Sequence, residues 1–212
     1  MNTGEPPITG LREHYRQLRS SHPWLDVAMC WSVVVPDSGR AVKLDEIAVR
    51  LSGGTPYQLH EPTSFRAAGP PTEDAYPVLI DWCGPAAMLL EIDYLGSVPS
   101  VLQRLSQGAR VYSAWWNVNL HNRLSFAAGG ELILAIDAFF PGTPEDYPGI
   151  GQWPELQAMT DFFVEFEERD EDYDWIAAWL AVIEQTTGAR LTSEWLEEAH
   201  PYITVRMPDA AR

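Results

Sequence analysis

The stretch from Glu91 to Pro141, EIDYLGSVPSVLQRLSQGARVYSAWWNVNLHNRLSFAAGGELILAIDAFFP, constrains the fold more than any other part of this chain. A strand running Ala86–Tyr94 leads to Gly96, where a positive φ is expected as the chain leaves the sheet. Ser97 fits an N-cap, and Pro99 falls in the first helical turn, where a missing N–H costs nothing. Val101, Leu102 and Leu105 line one helix face, and Gly108 stops the helix. Residues 110–118 then alternate: Val111, Ser113, Trp115 and Asn117 point one way, Tyr112, Ala114, Trp116 and Val118 the other. Leu124–Ala128 and Glu131–Phe139 flank Gly129-Gly130, a two-residue loop suited to a type I′ or II′ hairpin. Consecutive strands joined this tightly must be antiparallel.

The remaining segments extend that pattern. Val27–Val35 is a continuous apolar run followed by Pro36, Asp37 and Gly39, the mark of a buried strand. Val78–Cys83 precedes the Gly84-Pro85 turn and pairs with the strand after it. Helices are expected from Leu11 to Arg19 and from Asp45 to Leu51, the second stopped by Gly53-Gly54. Residues 55–77, rich in Pro, Gly, Thr and Ala, read as a long loop. Toward the C-terminus, Trp153, Leu156, Met159, Phe163 and Phe166 recur at helical spacing, as do Ile176, Trp179, Leu180 and Ile183. Leu191-Thr192 offers a staple and N-cap for a last helix, and Tyr202–Met207 a terminal edge strand. The expected fold is α+β: a mainly antiparallel sheet of about five to seven strands, helices packed on one face, and a helical C-terminal third. One globular domain is expected over 11–207, between a flexible lead at 1–10 and a flexible tail at 208–212.

Charge narrows the range of partners. Thirty acidic residues against 14 basic give a formal net charge of -16. Nucleic-acid affinity is supplied largely by Lys and Arg neutralising phosphates, so this balance argues against nucleic acid, and equally against anionic membranes. It suits a basic protein partner. Two cysteines, Cys30 and Cys83, are too few for a disulfide scaffold, and each adjoins a tryptophan in an apolar segment. The opening MNTGEPPITG lacks a secretory h-region and no apolar run approaches a membrane span, so a cytoplasmic protein is expected.

The segments YLGSVPSVLQRLSQGARV and NVN (94–119), with Trp24-Leu25-Asp26 through Cys30 and Thr187-Gly188 with Leu191-Thr192, are similar to a domain family of unknown function common in actinobacteria. The resemblance spans about residues 24–198. Residues 55–76 and the acidic stretch 165–174 have no counterpart in it. It implies no catalytic residue.

The common chemical signatures are absent from the sequence. There is no phosphate loop, Gly149-Ile150-Gly151 lacks the rest of a dinucleotide fingerprint, and no His-Glu-x-x-His or Gly-x-Ser-x-Gly occurs. Asp170, Asp172 and Asp174 imitate the start of a calcium loop, but Trp175 and Ala181 replace its glycine and its bidentate glutamate. No metal or cofactor is therefore expected.

Two sets of residues remain as candidates. Trp115, Asn117, Asn119 and His121, with Asp137 from a neighbouring strand, have the polarity and aromatic surface to line a ligand pocket beneath the 55–77 loop. The competing reading is that the asparagines build turns. Glu165, Glu167, Glu168, Asp170, Glu171, Asp172 and Asp174 form an acidic run that reads as a solvated linker or as a surface for a basic partner. The leading functional expectation is a non-catalytic interaction or regulatory module, of immunity type among others. A small-molecule binder at Trp115, Asn117 and His121 is second, and an enzyme using His121 with Asp137 is third.

Overall fold

The computed structural model describes residues 8–72, 75–147, 149–156, 159 and 173–206. Its frame is one sheet of eight strands, more than the sequence pattern suggested. They are β1 Ala28–Pro36, β2 Tyr57–Thr63, β3 Tyr76–Cys83, β4 Ala86–Glu91, β5 Ala109–Asn117, β6 Asn122–Ala128, β7 Glu131–Ile136 and β8 His200–Val205. The order across the sheet is β2-β8-β3-β4-β1-β5-β6-β7, and every neighbouring pair is antiparallel. The extra strand is β2, cut from the expected 55–77 loop; it pairs with β8 from Tyr57↔Val205 to Thr63↔His200. That pairing also moves β8 from the expected edge to an interior position between β2 and β3.

Helices cover both faces of this sheet, where one face was expected. Helix α1 (Ile8–Ser21) and a later helix (Trp175–Thr187, α5 below) pack with Met29, Trp31, Val33, Tyr112, Trp116 and Phe126. Helices α2 (Leu44–Ser52) and α4 (Pro99–Leu105) pack on the opposite face with Val34, Ala87, Leu89, Val111 and Ala127. A short helix α3 (Phe65–Ala68) follows β2. The physical reason lies in the strands: β4 is buried at all six positions and β1 at seven of nine, so alternation cannot leave one face wet. α1 starts at Ile8, inside the lead expected to be flexible.

Although the Ile176–Ile183 stripe does lie on a helix, in the described residues the C-terminal third does not support the wholly helical unit that the apolar spacing suggested. Its described part holds 3-10 turns at Ile150–Gln152 and Pro154–Leu156, α5, a five-residue helix α6 (Ser193–Glu197) and β8. Apart from Met159, the stretch from 157 to 172, with Phe163 and Phe166, lies outside the described residues. The cap signals there read true. Gly188 sits at φ 73° behind α5, and Thr192 accepts the Trp195 N–H at 3.1 Å at the start of α6.

Between β4 and α4 the sequence reading needs correcting at two residues. Ser97 is not the N-cap; Val98 holds that position without a side-chain bond, and the Ser97 hydroxyl donates to the Tyr94 carbonyl at 2.8 Å. Gly96 is not among the glycines with positive φ. It is required by closeness: a Cβ there would lie 2.6 Å from Ser32 Oγ and 2.9 Å from Cys30 Sγ. The turn is seated on the sheet through polar contacts. Ser32 donates to Ser113 Oγ at 2.9 Å, and Ser113 donates to the Gly96 carbonyl at 2.9 Å. Glu91 Oε1 accepts the Gly96 N–H at 2.5 Å, while its Oε2 is buried without a partner. Burial pushes this carboxyl from its ordinary 4.5 up to about 8, opposed by the Gly96 N–H and assisted by the Asp93 carboxylate.

Two measurements test this seat. Gly96→Ala forces Cβ into two buried side chains and is expected to cost about 1–3 kcal/mol in denaturant unfolding. Glu91 gives a pH signature. Between 4.5 and about 8 the native state holds a proton that the unfolded chain releases. Stability is therefore highest below that window, falls as pH rises through it, and levels off above. Unfolding midpoints across this range should show the slope in the wild type and lack it in Glu91→Gln.

Candidate functional site

The loop from β5 to β6 is built by Asn117. Its side-chain oxygen accepts the N–H groups of Asn119 at 3.0 Å and His121 at 3.2 Å. Its own N–H donates to the His121 carbonyl at 2.9 Å, closing the hairpin. Leu120 then takes φ 63°, the one left-handed non-glycine among the described residues. Such a conformation disfavours a leucine, and no burial offsets it: Leu120 is 66% exposed and Val118 64%.

A second loop stands beside the first. Asp137, just past β7, accepts the N–H groups of Phe139 at 2.7 Å and Phe140 at 3.0 Å. Tyr147 holds the next residue by donating to the Pro141 carbonyl at 2.8 Å. Phe139 turns inward against the Trp175 ring at 5.8 Å, and Phe140 turns outward, 83% exposed. Asn122, itself buried, joins the two loops. Its amide donates to the Leu120 carbonyl at 2.9 Å, and its oxygen accepts the Ala138 N–H at 2.5 Å. The Ala28↔Asn117 register brings Val27, 52% exposed, to the same end of the sheet as Val118. Four of the six exposed large hydrophobics in the described residues thus share this end: Val27, Val118, Leu120 and Phe140.

The candidate pocket residues all lie here, in different roles. Asn117 and Asp137 are engaged by backbone N–H groups, and Asn119 is a loop residue whose own N–H is held. Trp115 lies on the face of Cys30 and Ser113, its ring 6.0 Å from Tyr94 and 6.4 Å from His121. Among the described residues no hydrogen bond or ion pair joins His121 to Asp137. None of these five side chains lines the two clefts of about 300 Å³ and about 260 Å³ that open beside Trp24 and Arg66. Of the acidic run, Glu165 to Asp172 lie outside the described residues. Asp174 caps α5 by accepting the Ala177 N–H at 2.9 Å and pairs with Arg19, with Arg16 at 4.0 Å.

Sequence reasoning read Asn117, His121 and Asp137 as a polar cluster and passed over Val118, Leu120 and Phe140. The missed signal was apolar residues inside a turn sequence, VNL between Asn117 and His121, where solvent is the expected neighbour. What this end of the molecule offers is contact area: apolar side chains held outward by polar side chains that spend their hydrogen bonds on the backbone.

The fold and site define an α+β protein with an eight-stranded antiparallel sheet and an apolar loop pair at one end. The chain belongs to a family of unknown function, DUF6461, whose sequence model matches residues 81–210. That range takes in both loops and, of the seat, Glu91, Gly96 and Ser113, and begins beyond Trp24–Cys30 and Ser32. No curated protein and no solved structure matches the chain. Among the described residues no helix is long and apolar enough to cross a membrane.

Leu120→Gly tests whether stability is given up for display. Glycine takes φ 63° freely, and Leu120 loses little burial when removed. The variant is expected to gain up to about 1 kcal/mol in denaturant unfolding; an unchanged or lower stability shows that the leucine makes up its backbone cost by packing.

Proposed function

We propose that this protein is a non-catalytic interaction module that docks a protein partner through Val27, Val118, Leu120 and Phe140. The observation that carries the reading is Leu120, an exposed leucine kept in a backbone conformation that leucine disfavours. A loop selected only for turning would carry glycine or asparagine there. Exposed large apolar side chains gathered at one end of a domain mark an interaction site, and such anchors supply most of the binding energy there. The net charge of -16 selects the partner: a basic protein whose apolar contact surface is rimmed by Lys or Arg. A cytoplasmic regulatory or immunity-type role fits this chemistry, and the acidic run Glu165–Asp174 adds to the attraction at longer range.

A small-molecule reading at Trp115 has one observation in its favour, an indole N–H that is buried without a partner. Against it stands the Asn117 oxygen, already taken by two backbone N–H groups.

The test is a native pull-down with the full chain as bait, compared with Leu120→Asp/Phe140→Asp and with Val49→Asp/Leu59→Asp as a control for exposed hydrophobics elsewhere. A stoichiometric partner should be retained by the control, lost at least tenfold by the loop variant, and bound more weakly at high salt. A partner retained by the loop variant, or none in the wild type, removes the proposal.

A further inference from the structure

The two clefts beside Trp24 share their central wall. Trp24 and Arg66 line both. Trp24 stacks on Phe65 with ring centroids 4.8 Å apart and planes at 27°, and the Arg66 guanidinium lies 5.9 Å from the Trp24 ring centroid. Beyond this wall the clefts differ in character. The larger, about 300 Å³, is lined by polar groups that include Ser64 and Glu197. The smaller, about 260 Å³, is walled by Phe65, Pro70 and Ile92, with Arg66 its one charged residue.

The charges in the polar half are the informative feature. Arg66 and Glu197 are both exposed and line the same cleft, yet among the described residues neither forms an ion pair. A guanidinium and a carboxylate that line one cleft without pairing with each other match a ligand carrying the two opposite charges. The adjoining apolar half, with an aromatic wall, matches a hydrophobic body attached to that head group.

We infer that the joined clefts bind an α-amino acid with a large apolar side chain. The carboxylate pairs with Arg66, the ammonium with Glu197, and the side chain lies against Trp24 and Phe65. This site is separate from the apolar loops at the end of the sheet and stands without them. Binding involves no covalent step. α3 with Gly69 and Pro70, which the sequence presented as part of a long loop, supply one wall.

Calorimetric titration of the full chain with L-phenylalanine, L-tryptophan and L-leucine tests this, with phenylalaninamide lacking the carboxylate and 3-phenylpropionate lacking the ammonium. At least one of the three amino acids should bind with Kd of about 1 mM or tighter, and removing either charge from L-phenylalanine should weaken it at least tenfold. Arg66→Ala should reduce L-phenylalanine to the level of the amide and leave the amide unchanged. Glu197→Gln should do the same with respect to 3-phenylpropionate. Both residues are exposed, so circular dichroism should show both variants folded. If no amino acid binds, if the three phenyl compounds bind alike, or if binding survives both substitutions, the inference is overturned.

Discussion

The close approach of the 95–97 turn to the middle of the sheet sets the arrangement of everything on that face. Gly96 lies so near Ser32 and Cys30 that no side chain fits between them. The register aligns Glu91, Cys30 and Trp115 across β4, β1 and β5, with Leu89, Ser32 and Ser113 in the next row. An apolar row there would leave the Gly96 carbonyl and N–H unsatisfied; serines and a carboxyl supply partners at the cost of burying them. Because the turn is pinned at this depth, α4 starts close enough for Val101, Leu102 and Leu105 to join the core with α2. Arg104 then locks the two helices by donating to the Arg50 carbonyl at 2.7 Å.

The far end of the sheet uses polar groups for the opposite purpose. Asn117, Asn122 and Asp137 each spend their hydrogen bonds on neighbouring backbone, and the result is a pair of loops with apolar tips. The family range covers the 95–97 turn and both loops, whereas the Trp24–Arg66 clefts are built largely from residues before it.

Local geometry was legible in the sequence, and long-range pairing was not. Gly129-Gly130, both at positive φ, and Gly53, Gly108 and Gly188 announce their turns and helix ends because the constraint lies in the residue itself. β2 was hidden: Tyr57–Thr63 carries Pro62 and mostly exposed positions, so it lacks any buried face to create a pattern. Its partner lies more than a hundred residues away. The apolar run at Val27–Val35 did contain the evidence for two covered faces, since a half-solvated strand would alternate. Of the candidate pocket, the residues were placed at one end of the sheet by the register, but their hydrogen bonds depend on loop geometry that residue types alone leave open. The clefts at Trp24 join segments around residues 24, 66 and 197, which no local pattern connects.

The position of β8 has a consequence for how the chain is made. Among the described residues β2 pairs only with β8, the last of the eight strands in sequence order, which lies inside the sheet. During synthesis, domains form from the N-terminal side at roughly 5–20 residues per second. Until His200–Val205 leaves the ribosome, β3 therefore presents an open hydrogen-bonding edge, and Tyr57–Thr63 has nothing to pair with. From the completion of β7 at Ile136 until β8 ends at Val205, the six strands already able to pair leave β3 as an unprotected border. A chaperone that shields strand edges would find β3 open in that state, whereas in the finished sheet β8 covers it and the borders are β2 and β7.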